Sequence, residues 1–244
     1  MTSRGRAASA VMLLAGVAIA AMGCSSAVPT VDEPSAGGES HDTELVDVTP
    51  KGNRLVFGDP EMAVDYPSHW HAAPTGEAER RPGVTELTLL DESDAPQLQL
   101  NRGGLQGLGG ACAPDLPLMQ VSELDTTPAK APGFEAGAAA GGEALTGLQF
   151  VYRIGEFDGG VVTSMALTNQ PVADSCMFYN LISGADGLMA FADSVQVDTH
   201  SKQGFFASRA QAEAYMQTPE YKTKKLVLLS LSFDPSAAAE EPTD

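Results

Sequence analysis

The chain has 244 residues, with 14 Lys plus Arg against 32 Asp plus Glu, a formal net charge of −18. Such acidity argues against a nucleic-acid partner, because binding phosphates needs clustered Lys and Arg to displace counterions. Only 19% of the residues are charged and 43% are hydrophobic, so the chain can fold, and its length allows one domain or at most two small ones.

Residues 1–23 have the layout of an export leader: Arg4 and Arg6, then an uncharged apolar run over 7–22. That run is short for a membrane span, which needs roughly 20 apolar residues. It ends in Ala21-Met22-Gly23-Cys24, followed by Ser25-Ser26. A small residue directly before a cysteine, just past the apolar run, resembles the lipobox of bacterial lipoproteins. The resemblance implies cleavage before Cys24, a palmitate-type lipid on that residue, and residence at the extracytoplasmic face of the cell membrane with the bilayer as partner. The alternative is an ordinary secreted protein cut near Ala21, with Cys24 left as a thiol.

Three cysteines are present, at 24, 112 and 176. Lipidation of Cys24 leaves an even pair, and an exported protein most simply joins Cys112 to Cys176. Such a bridge closes a loop of about 65 residues, for which the chain-entropy relation gives about 4 kcal/mol. Two buried free thiols are the alternative. Loss of Arg4 and Arg6 with the leader reduces the 14 bases to 12 against 32 acids, a balance of −20. A body that negative is repelled by anionic headgroups even while a lipid holds it at the surface.

Residues 24–45 are rich in Ser, Pro, Gly and acids and lack periodic apolar positions, the composition of a flexible tether with a reach on the order of 25 Å. The folded domain is expected over 46–233, with a frayed acidic tail over 234–244. Within it, Leu55-Val56-Phe57 and Met62-Ala63-Val64 flank the turn signal Gly58-Asp59-Pro60. Residues 84–90 and 98–100 are strand candidates on either side of the polar connection 91–94. Gly-rich and Ala-rich loops follow at 103–110 and 136–142. The clearest hairpin pairs 148–157 with 161–167: Phe150, Tyr152 and Ile154 alternate onto one face, and Asp158-Gly159 supplies turn chemistry. Residues 176–182 form another strand, and 186–193 carry Leu188, Met189 and Ala192 at helical spacing. Ser208 with Gln211 is a capping-box pattern opening a helix through Tyr215 and Met216. Thr218-Pro219-Glu220 opens a second, expected to bury Tyr221, the stem of Lys225, and Val227 or Leu228 before a short strand at 231–233. Short strands with helices collected late indicate an α+β fold on an antiparallel sheet flanked by helices.

The segment Asp65-Tyr66-Pro67-Ser68-His69-Trp70 follows an alternating strand. It resembles the opening of PsbP-like domains, a family that includes lipoproteins of actinobacteria. The resemblance implies an α/β/α sandwich on an antiparallel sheet and an accessory or binding role. It carries no shared active site, so no catalytic residue follows from it.

Candidate chemistry is sparse. His69-x-His71 is the one histidine cluster; as strand neighbours, the two imidazoles could take zinc or copper with Asp59, Glu61 or Asp65 as a third ligand. Pro67 argues for a bend instead, with Trp70 plugging the core and both histidines facing solvent. Gly103–Gly110 lacks the Gly-Lys-Ser/Thr ending of a phosphate loop, and the acids Asp91, Glu92 and Asp94 lack the Gly and Glu spacing of a calcium loop. No Gly-x-Ser-x-Gly nucleophile motif occurs. Phe205-Phe206 is different: two adjacent rings on a regular element cannot both point inward, so with Trp70 they mark a candidate ligand or partner patch. The reading is a non-catalytic, cofactor-free binding module, lipid-anchored outside the cytoplasm, for a protein or a small apolar ligand. A secreted hydrolase with a scattered catalytic group and a His-x-His metal protein are the alternatives.

Overall fold

The structure, a computed structural model, describes residues 52–58, 61–74, 84–105, 108, 112, 116–138, 145, 147–234 and 236. All of them fall in the unit Asp47–Asp244. The leader and tether, and all of the tail but Asp234 and Ser236, lie outside the described residues.

The centre is the hairpin of β7 (Gln149–Phe157) and β8 (Gly160–Thr168), in register from Gln149↔Thr168 to Phe157↔Gly160. The two-residue loop is Asp158-Gly159, as the sequence suggests, but the positive φ of +140° falls on Gly160. A Cβ there would lie 2.8 Å from the Phe205 ring. Around this hairpin runs an antiparallel path in the order β3 (His71–Pro74), β4 (Thr85–Leu90), β5 (Pro96–Arg102), β11 (Gly187–Ala192), β8, β7 and β6 (Gln120–Pro128). Short strands β10 (Ile182–Gly184) and β13 (Phe205–Phe206) add to β11 and β8. Two-stranded pairs lie apart from it: β1 (Gly52–Phe57) with β2 (Met62–Pro67), and β9 (Met177–Tyr179) with β12 (Gln196–Asp198).

Both faces of the central strands are covered, which is why β7 and β8 read as almost continuously buried. One face carries Leu89, Leu98, Leu100, Phe150, Tyr152, Met165, Leu167 and Phe191, and it packs with Met62, Val64, Tyr66 and Trp70 and with Tyr221, Val227 and Leu228 of α2 (Pro219–Leu229). On the other, Val162 packs with Met119, Phe178 and Val197, so the β9–β12 ribbon rather than a helix closes that side.

The α+β expectation, with helices flanking the sheet as in an α/β/α sandwich, is therefore corrected. Strands hold 49% of the described residues and helices 11%, in two short helices, α1 (Arg209–Tyr215) and α2. The largest single reason is the run 187–192, expected to be helical, which is the central strand β11 between β5 and β8. Met189, Ala190, Phe191 and Ala192 are all buried, because neighbouring layers cover both sides. A short apolar run buried on both faces fits helix and central strand equally well by spacing, and tertiary pairing decides.

The helix starts follow the sequence signals. Ser208 accepts from the Gln211 N–H, while the Gln211 side chain accepts from the Ala207 N–H. Thr218 caps α2 by accepting from the Tyr221 N–H, with Pro219 first in the helix. Val227 and Leu228 are both buried, and so is Lys224, whereas Lys225 lays its ammonium 4.9 Å over the Phe150 ring. The strand expected at 231–233 reduces to one bridge, Ser232 with Ala63. Beside it, the Ser230 hydroxyl accepts from the Asp65 N–H and ties the end of α2 to β2.

Candidate functional site

The residues singled out from the sequence do not converge. Trp70 is 6% exposed and belongs to the main core with Leu89 and Leu98. Phe206 lies in a separate cluster with Ile154, Val161 and Ala212, its ring 5.7 Å from Tyr215. Phe205 points outward, at 47% exposure. Backbone alternation sends one ring in and the other out, so Trp70, Phe205 and Phe206 make no common patch. His69 is in the turn before β3 with its ring edge-on to Trp70, and His71 opens β3 with Nε2 3.0 Å from an Asp94 oxygen. The bend at Pro67 thus removes His69 from the strand. Asp65 is taken up by Arg54, Asp59 lies outside the described residues, and no group of three or more metal-type ligands occurs among the described residues. Cys24 lies outside them as well. Cys112 and Cys176 are joined, with Cα atoms 5.7 Å apart. The bridge joins the exposed Cys112 to Cys176, which is buried one residue before β9.

The structure brings together a different set of groups. On the ribbon side, Arg153 of β7 is 1% exposed. Its Nε donates to Glu123 at 3.1 Å, and its terminal nitrogens donate to the Gln170 carbonyl at 2.6 Å and the Tyr179 carbonyl at 3.4 Å. Burial lowers the pKa of the guanidinium and the Glu123 charge opposes that shift. Beside it opens a groove of about 560 Å³, with walls that include Pro171, Val172, Met177, Phe178, Leu181 and Leu188. Arg153, Gln170, Tyr179 and Ser183 supply its polar lining. Among the described residues, the Tyr179 hydroxyl donates to the sulfur of Met177, a weak acceptor.

A second cluster lies where β11 leaves the β8 edge and β13 joins it. Phe191 and Ala192 pair with Leu167 and Ala166, while Phe205 and Phe206 pair with Val162 and Val161. The gap between them is bridged by Asp193, whose carboxylate accepts from the Met165 N–H at 3.1 Å and from the Ser164 hydroxyl. Gly204 accepts from the Thr163 N–H at 2.8 Å and has a φ of +69°. A Cβ at Gly204 would sit 2.3 Å from the Thr163 carbonyl oxygen, so only glycine brings β13 this close. Ser164 is wholly buried and also accepts from Asn180, so its hydroxyl presents no nucleophile to solvent.

Burial pushes the Asp193 carboxyl up to about 6; the Ser164 hydrogen bond, the Lys224 charge and the Met165 N–H oppose that rise, while Tyr152 and Tyr215 also face it. The folded chain then binds this proton more tightly than the unfolded chain. Its stabilising contribution is full below the unfolded pKa and is lost as pH rises through about 6. Urea unfolding is expected to show stability falling by on the order of 2–3 kcal/mol from this group between pH 4 and pH 7. Asp193→Asn should flatten that slope, and an unchanged slope would locate the titration elsewhere.

A third cluster joins α2 to β6. Asp125 accepts from the Tyr221 hydroxyl and the Lys225 ammonium, each at 2.6 Å. Burial raises the Asp125 pKa, but the two hydrogen bonds and the Lys225 charge outweigh it and the group ends lowered. Tyr152, Tyr215 and Tyr221 stack with centroids 5.2–6.1 Å apart, fixing the helix on the sheet.

Neither Arg153 nor Asp193 was singled out by the sequence reading. The available signal was an arginine in mid-strand with Val151, Tyr152 and Ile154 around it, which requires a buried partner if both faces are covered. No protein-family model matches the chain, and neither does any of the curated proteins or solved structures compared with it.

Proposed function

We propose that this protein is an extracytoplasmic lipoprotein, fastened to the cell membrane through Cys24, whose β-rich domain is a non-catalytic binding module for a small apolar ligand. The observation that carries the binding part is the groove beside Arg153: its volume lies within the ordinary range for small-molecule sites, and its walls combine apolar side chains with a few polar groups. The compartment is supported by the Cys112–Cys176 bridge, since disulfides persist in oxidising surroundings and this pairing leaves Cys24 as the odd cysteine. Among the described residues no helix is long and apolar enough to cross a membrane.

The Cys24→Ala protein recovered from the medium tests the binding part. Titrated with the neutral dye Nile red, it should show saturable one-to-one fluorescence enhancement that Leu188→Glu abolishes, because Leu188 lines the groove and is 44% exposed. Enhancement that does not saturate, or that Leu188→Glu leaves intact, would remove the groove from the account.

A further inference from the structure

We infer that the groove takes a single-chain amphiphile with a carboxylate head, the head meeting Arg153 and Tyr179 and the chain lying along Val172, Met177 and Leu188. The inference rests on the binding reading above and names its ligand class. Its basis is the hydrogen bonding at the floor. Arg153 has five N–H donors and uses three, on Glu123 and the carbonyls of Gln170 and Tyr179. Each terminal nitrogen therefore keeps one hydrogen that no described residue accepts. Both of those carbonyls belong to residues that line the groove, as Arg153 does. Glu123 faces Nε and does not line the groove. The Tyr179 hydroxyl, spent on a thioether, is a further donor in the same wall.

Two N–H groups on one planar guanidinium match the two oxygens of a carboxylate, and hydrogen bonds between ionised groups are the strong ones. A buried donor left without an acceptor costs free energy, which an entering oxygen would recover. Charge balance selects the head. Glu123 already shares the Arg153 charge, and the chain carries −18 overall, so a dianion would meet repulsion that a monoanion largely escapes. The rest of the lining selects an apolar chain, since Pro171, Val172, Met177, Phe178, Leu181 and Leu188 offer no charged group.

The test uses the same Cys24→Ala protein and equilibrium dialysis with dodecanoate and dodecanol, which share a chain and differ at the head. Dodecanoate should bind one-to-one and at least tenfold more tightly than dodecanol. Tyr179→Phe should weaken dodecanoate several-fold and leave dodecanol unchanged. Leu188→Glu, which places a carboxylate at an exposed position in the groove, should weaken dodecanoate at least tenfold with the melting temperature unchanged. Arg153→Lys should narrow the gap between the two ligands, and its melting curve reports whether it remains folded. Equal affinity for the two would overturn the carboxylate while leaving an apolar-ligand module in place. Absence of binding by either would overturn the inference together with the small-ligand form of the module. Dodecanoate binding untouched by Leu188→Glu would place the ligand elsewhere and likewise overturn it.

Discussion

Arg153→Ala is expected to lower the free energy of unfolding by about 3–5 kcal/mol, read as a shift of the urea midpoint with an unchanged denaturant slope. The guanidinium is buried to 1% exposure, and its removal strands the carbonyls of Gln170 and Tyr179 and leaves Glu123 without its cation. Glu123→Gln is expected to cost much less, about 1 kcal/mol, because that carboxylate is 23% exposed and reaches water when its partner changes. The asymmetry between the two variants is the informative quantity. If both cost the same small amount, Arg153 is solvated in the groove and does not join β7 to the 170–179 segment. A domain stability of about 5–15 kcal/mol makes the larger loss easy to detect.

Reduction of the Cys112–Cys176 bridge, or its replacement by a pair of alanines, is expected to cost about 4 kcal/mol through the freed loop entropy of the unfolded chain. For a domain of this size that corresponds to a melting temperature lower by about 10 °C. Beyond that global loss, local opening should increase most at the ribbon side. Cys176 is buried beside Ser175, which exchanges backbone hydrogen bonds with Met119, and one residue on β9 begins. Amide exchange in Met177–Tyr179 should therefore rise more on reduction than exchange in Phe150 or Tyr152, which α2 covers from the other face. Uniform acceleration would mean that the bridge acts on the whole domain and not on the ribbon.

The parts of the fold that were legible in the sequence are those whose local chemistry is unambiguous. The β7–β8 hairpin shows alternating large residues on its first arm before a two-residue loop, and the helix caps at Ser208 and Thr218 are written in nearby residues. The cysteine pairing followed from counting thiols. The β11 strand was not legible, because Leu188–Ala192 is apolar at every position and its period carries no information once both faces are covered. The strand expected at 176–182 contains β9 but is broken before β10, and β9's partner β12 escaped because a strand of three residues is too short to show a period. With the helix at 186–193 gone, one helical layer vanishes and the α/β/α expectation goes with it.

The candidate site was less legible than the fold. Phe205 and Phe206 were chosen because two adjacent rings cannot both point inward, and Phe205 does point outward; Trp70, grouped with them, lies in the core, where a large ring more often sits. The groove is assembled from 138, 153, 170–173, 177–179, 181, 183 and 187–188, segments whose proximity depends on the registers of β7, β8 and β11. Only Arg153 gave a local clue, as a charge placed in a run that is otherwise buried on both faces. Asp193 gave none, since its role depends on β11 and β13 sharing one edge of β8.

The proposed attachment at the membrane depends on what becomes of Cys24, so the mass of the mature N-terminal peptide is the deciding measurement. Expressed in a bacterium with its own leader and isolated from the membrane fraction, the chain should yield a peptide beginning at Cys24 and carrying a lipid mass that alkaline hydrolysis reduces; Cys24→Ala should move the protein into the medium. A peptide that retains residues 1–23, or that begins at Cys24 without added mass while the protein stays on the membrane, would contradict it.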